Sequence, residues 1–120
     1  MAHNPGFLKL VNEAKGRVKQ VDINGYKQMM NEPHVLVDVR EDTEWNNGHA
    51  KGAVHIGKGV IERDIETKIP DKSTKLVLYC GGGFRSALAG DAIQQIGYTN
   101  VISLDGGWKA IVEAGLPVEK

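Results

Sequence analysis

One cysteine, Cys80, stands in a 120-residue chain. Its neighbours decide what it can do. Gly81, Gly82 and Gly83 follow it at once, then Phe84, Arg85 and Ser86. A single cysteine after an apolar run is often only a small core residue. Three consecutive glycines and a cation five positions on serve no packing purpose. Glycine is the residue that turns a backbone sharply at least cost, so Cys80–Ser86 reads as a loop. Its N–H groups can point inward as an anion cradle, with Phe84 and Ser86 completing the turn. Arg85 adds a fork-shaped cation. Surroundings of this kind favour thiolate, the nucleophilic form of cysteine. Cys80 and Arg85 are therefore the candidate catalytic residues, and Gly81, Gly82, Gly83, Phe84 and Ser86 the candidate substrate-binding ones.

The flanking elements hold that loop. Leu76–Tyr79 is an apolar run without helical spacing, which reads as a buried strand. From Ser86 onward, Leu88, Ala92 and Ile96 recur every fourth position, so a helix is expected to begin near Arg85 and to stop at Gly97. Cys80 then lies at the carboxyl end of a strand and the amino end of a helix, where open α/β sheets place their ligands.

The rest of the chain alternates in the same way. Phe7, Leu8, Leu10, Val11 and Ala14 are spaced for a short amphipathic helix between Pro5 and Gly16. Val18–Val21 reads as a strand, and Asp22 as the cap of a helix carrying Tyr26, Met29 and Met30. His34–Val39 is a strand rich in branched residues. Asp38 and Arg40, two apart, face one way at its end and read as a polar scaffold around the active loop. Glu41–Asn47 is a short helix anchored by Trp45, and Ala53–Ile56 a short strand. His49 reads as a hydrogen-bonded structural residue, because it and His55 are too isolated for a metal site. Ile61, Ile65 and Ile69 mark a helix closed by Pro70. Val101–Leu104 is the last strong strand. Asp105-Gly106-Gly107 turns into a helix expected to bury Trp108, Ile111 and Val112. Strands alternating with helices imply right-handed crossovers and a mainly parallel sheet of about five strands.

Y-C-G-G-G-F-R-S resembles the active-site loop of rhodanese-like sulfurtransferases, commonly C-x-x-G-x-R followed by Ser or Thr. Cys80, Gly83, Arg85 and Ser86 occupy the matching positions. V-L-V-D-V-R at Val35–Arg40 is similar to that family's first core strand. G-H-A-K-G-A at Gly48–Ala53 is similar to its usual G-H-I-P-G-A, and L-D-G-G-W at Leu104–Trp108 to its carboxyl-terminal signature. Lys51 stands where the family usually has proline, which implies a looser loop. The resemblance covers about Val18–Pro117. It implies an α/β fold, a three-layer α/β/α sandwich. It implies a single domain over 1–120, with a helical appendage at 1–17 and a core at 18–117. In such folds the start of the segment after Ile56 lies near the active loop, where Lys58 and Arg63 would add positive charge for an anionic donor. The Asp38–Arg40 element is mostly structural in the family.

The implied reaction moves a sulfane sulfur from thiosulfate or another persulfide-type donor to cyanide or a thiol through a Cys80 persulfide, with no metal or organic cofactor. An acceptor protein is a further candidate partner. Two alternatives stay open: a non-enzymatic sulfur carrier or interaction module, and a cysteine-dependent phosphatase or arsenate reductase. The phosphatases are similar in having Cys-x5-Arg. Here four residues separate Cys80 from Arg85, so the cradle is smaller.

Composition narrows the partners. Fifteen basic and fifteen acidic residues cancel, which argues against broad binding to nucleic acid or anionic membrane. Hydrophobic content of 41% and charged content of 25% suit a soluble globular domain. One cysteine excludes an internal disulfide and a cysteine-rich zinc site, and it fits a reducing compartment. Met-Ala-His-Asn-Pro-Gly lacks the pattern of a secretory signal, and no apolar run reaches membrane-spanning length. A cytoplasmic setting is expected.

Overall fold

The structure, a computed structural model, describes residues 3–120. Met1 and Ala2 of the expected appendage lie outside the described residues. The elements in chain order are α1 (Pro5–Lys15), β1 (Lys19–Val21), α2 (Ile23–Met29), β2 (Val35–Asp38), α3 (Asp42–Asn46), β3 (His49–Ala50), β4 (Val54–His55), α4 (Ile61–Lys68), β5 (Leu76–Tyr79), α5 (Phe84–Ile96), β6 (Val101–Leu104), α6 (Gly107–Glu113) and β7 (Val118–Glu119). Five strands form one parallel sheet in the order β1-β6-β5-β2-β4. The α/β fold with a five-stranded parallel sheet is as the sequence implies. The β3–β7 antiparallel pair was not anticipated, since two-residue strands carry no readable period.

The alternation within β5 shows how both faces are covered. Leu76, Leu78 and Cys80 join a core with Ile61 and Ile65 of α4 and Ala89 and Ile93 of α5. Val77 and Tyr79 join the opposite core with Tyr26, Met29 and Ile111 of α2 and α6. Successive side chains of a strand point to opposite faces, so the Cys80 thiol is delivered to the α4–α5 side.

The buried face of α5 is not the one its four-residue apolar repeat marks. Ser86, Ala87, Ala89, Gly90 and Ile93 are buried, whereas Leu88, Ala92 and Ile96 are only half-buried. The helix is enclosed on more than one side, with α1 and α4 as well as the sheet against it. Small residues permit that close approach: a Cβ at Gly90 would lie 3.0 Å from Val18 Cγ1 and 3.3 Å from Val101 Cγ1. In α6, Ile111 is buried but Val112 is exposed. In α1, Val11 and Ala14 are buried while Leu10 faces solvent. Among the described residues, no helix is long and apolar enough to cross a membrane.

Candidate active site

Strand β5 ends at Tyr79, and its next residue, Cys80, is 1% exposed. The loop folds back over the sulfur. Gly83 takes φ +113°, a conformation open to glycine, and its N–H donates to Cys80 Sγ at 3.1 Å. Gly83 is the cap of α5, so Phe84, Arg85 and Ser86 form the first turn, whose N–H groups lack helical partners. Ser86 Oγ lies 3.6 Å from Sγ and 2.8 Å from Ser103 Oγ, and both serines are fully buried. The sulfur thus meets a backbone donor on one side and a hydroxyl pair on the other. Sequence reading missed Ser103, although a hydroxyl inside the apolar run V-I-S-L is a readable signal.

A second segment fixes the loop from behind. Trp108 N–H donates to the Cys80 carbonyl at 2.7 Å, Lys109 N–H to that of Gly81 at 3.3 Å, and Gly106 N–H to that of Gly82 at 3.1 Å. Three successive loop carbonyls are therefore turned toward the start of α6, away from the cleft. Gly107, at φ +48°, packs directly on the Cys80 carbonyl, and any Cβ there would overlap it. The D-G-G-W stretch acts as an anchor for the cysteine loop rather than as a simple turn.

The Asp38–Arg40 pair lies on the opposite face of the sheet from the thiol. It is a buried ion pair, with Arg40 Nη2 at 2.8 Å from Asp38 Oδ2. Arg40 also donates to the Gly48 carbonyl at 2.7 Å, and its guanidinium lies 4.6 Å from the Trp108 ring centroid. Its link to the loop runs through Trp108. His49 Nδ1 lies 3.1 Å from the Trp45 carbonyl oxygen, and its ring stacks on Trp45 at 3.4 Å between centroids. The Lys51 loop is tied rather than loose: Lys51 N–H donates to the Pro117 carbonyl at 3.0 Å, a bond that proline could not make.

Over the sulfur opens a cleft of about 460 Å³, lined by Cys80, Gly82, Phe84, Arg85, His3 and Phe7. Gly81 abuts Arg85, since a Cβ there would come within 3.2 Å of Arg85 Nη2. Lys58 and Arg63 are not among the lining residues. Arg63 points to solvent and pairs with its neighbour Asp64 at 2.7 Å, and the Lys58 N–H donates to the Val39 carbonyl. Two further groups at the site, besides Ser103, escaped sequence reading. The first is Glu44 of α3, which takes both terminal nitrogens of Arg85, at 2.7 and 3.0 Å. Hydrogen bonding from Arg85 holds the Glu44 carboxyl down to about 2, and the Arg85 guanidinium is raised in return. The second is the start of the chain: His3 and Phe7 are brought to the cleft by α1, which packs along α5.

The geometry places a thiol at the floor of a cleft edged by a cation, and proteins similar to this chain are known. The rhodanese-like domain family matches residues 22–114. Thiosulfate sulfurtransferase GlpE of Shewanella oneidensis is 33% identical over 80% of this chain and 94% of its own length. A tRNA uridine(34) hydroxylase of Erwinia tasmaniensis is 31% identical over 84% of this chain, which spans only 31% of that longer protein. A solved Rhodopseudomonas palustris protein of unknown function, described as a possible tyrosine phosphatase, superposes with a TM-score of 0.85 at 26% identity, covering 99% of this chain and 98% of its own. With the family match spanning most of the sheet and the whole cysteine loop, the chain belongs to the rhodanese-like domain family.

Proposed function

We propose that the protein is a sulfurtransferase working through a persulfide on Cys80. The observation that carries this is the Gly83 N–H directed at Cys80 Sγ, at the floor of a cleft edged by Arg85. In the first displacement the Cys80 thiolate attacks the outer sulfur of thiosulfate. A bond forms between the two sulfurs, and sulfite leaves with the electron pair of the broken S–S bond. In the second, cyanide or a thiolate attacks the outer sulfur and the electron pair returns to Cys80. A covalent intermediate divides one difficult transfer into two easier ones. Open N–H groups at the start of α5 and the Arg85 cation stabilise anionic sulfur beyond Sγ. Glu44 holds the guanidinium at the rim and offsets part of its charge. Neither step needs a metal or an organic cofactor. The free thiol suits a reducing compartment such as the cytoplasm. The similarity to a named thiosulfate sulfurtransferase supports the donor class.

The test is direct. Incubation with thiosulfate, without acceptor, should leave the intact protein heavier by one sulfur atom at Cys80. Cyanide should remove it with an equal amount of thiocyanate. A thiol that alkylates readily but takes up sulfur from no donor would reject the proposal and favour an interaction module.

A further inference from the structure

The family match begins at residue 22, so α1 lies outside it, yet Phe7 of α1 and His3, two residues before the helix, supply one wall of the cleft. That wall is made of rings. His3 and Phe84 have centroids 4.8 Å apart, His3 and Phe7 5.4 Å, and Phe7 and Phe84 6.2 Å. Helix α1 is fixed there from below, with Val11 and Ala14 buried and Arg17, just beyond it, bonded to Asp91 of α5 at 2.8 Å through two nitrogens. The rest of the lining is polar: Gly82, Arg85 and the sulfur. Thiosulfate, sulfite and cyanide can use the polar side, but nothing in them matches three aromatic rings. Because Cys80 is 1% exposed, an attacking sulfur must come through the cleft, and whatever it carries must lie along its walls. The volume, about 460 Å³, is in the range that takes a small organic molecule.

We propose that α1 is a specificity element and that the acceptor it selects is an organic thiol bearing an aromatic group a carbon or two from its sulfur. This rests on the persulfide reading above. The acceptor thiolate attacks the outer sulfur of the Cys80 persulfide. A new S–S bond forms, the bond to Cys80 Sγ breaks with its electron pair returning to Cys80, and the product leaves as an organic persulfide with no net oxidation. The aromatic group packs against Phe7 and His3 with Phe84 behind them, a contact beyond simple burial because rings prefer tilted neighbours. Phe7 is a specificity-determining residue rather than a catalytic one.

The full-length protein, loaded with thiosulfate and freed of donor, is mixed with benzyl mercaptan or with an aliphatic thiol of matched acidity. Persulfide loss is followed by intact mass. Benzyl mercaptan should discharge the wild type about tenfold faster than the aliphatic thiol. Phe7→Ala should bring the ratio near one, and Phe7→Tyr should retain it. Phe7 is only half-buried and alanine favours helix, so circular dichroism of the variant should match wild type. Equal rates in the wild type, or an unchanged ratio in Phe7→Ala, overturn the proposal. If thiosulfate leaves no adduct, the persulfide reading fails by itself and alkylation still reads the wall. Cys80, the single thiol, should then react faster with N-benzyliodoacetamide than with iodoacetamide, and this preference should fall in Phe7→Ala. The same preference in both proteins overturns the wall.

Discussion

Each polar atom around Cys80 makes a separate prediction. Cys80→Ser should eliminate sulfur transfer and leave the fold intact, because a hydroxyl can keep the contacts to Gly83 and Ser86 but cannot carry a persulfide. Turnover and thermal unfolding of the variant check both halves of that statement. Arg85→Ala should lower kcat/KM for thiosulfate by about 1.5–3 kcal/mol, and Arg85→Lys should recover only part, since ammonium lacks the fork that Glu44 grips. Glu44 makes a pH prediction. Its folded-state pKa, about 2, is below the ordinary 4.5, so the pair's stabilisation is fully present above pH 4.5 and is lost as pH falls through 2. Urea unfolding at pH 7 and pH 2.5 should therefore show a smaller acid loss in Glu44→Gln than in wild type. The effect should be modest, because both side chains are about a third exposed. The cysteine, the glycines and Arg85 were legible because their spacing along one segment announces a loop. Glu44 was not, since it lies 41 positions from its partner and only the packing of α3 beside the loop unites them.

The loop and the first turn of α6 form a unit at the scale of elements. Gly107→Ala should destabilise the fold by at least about 2 kcal/mol and prevent persulfide loading, because its Cβ overlaps the Cys80 carbonyl in a backbone region that disfavours side chains. Gly59→Ala is the control, since no atom lies within 4 Å of its Cβ position. Urea midpoints together with intact mass after thiosulfate treatment separate the two outcomes. Helix and strand positions were readable from periodicity and from turn residues, but the strand order, with β6, β5 and β2 at the centre of the sheet, was not. The face that α5 buries was not legible. Repeats of large residues normally mark the inner stripe, but a helix enclosed on several sides uses its small residues for closest approach. The part α1 plays at the cleft could not be read either: an amphipathic stripe says that a helix packs, and only the fold says against what.

Across the whole molecule, the buried Asp38–Arg40 pair joins β2, the Gly48 turn and the Trp108 anchor. Asp38→Ala should cost about 3–5 kcal/mol in a urea titration, because a guanidinium is then left buried without its carboxylate. A double exchange of Asp38 and Arg40 for apolar residues should lose less than the single variant. The sheet order has a different consequence. β1 pairs only with β6, so Lys19 finds its neighbour in Ile102, and β6 is also the second partner of β5. A chain emerging from a ribosome exposes β1 and one edge of β5 until Val101–Leu104 has been made. Such distant pairings are slow to form, and their open edges invite contact with other chains. A chain stalled before Val101 would carry a finished cysteine loop without the α6 anchor and without the strand that closes its sheet. The stretch from Val101 onward therefore decides when that exposure during synthesis ends.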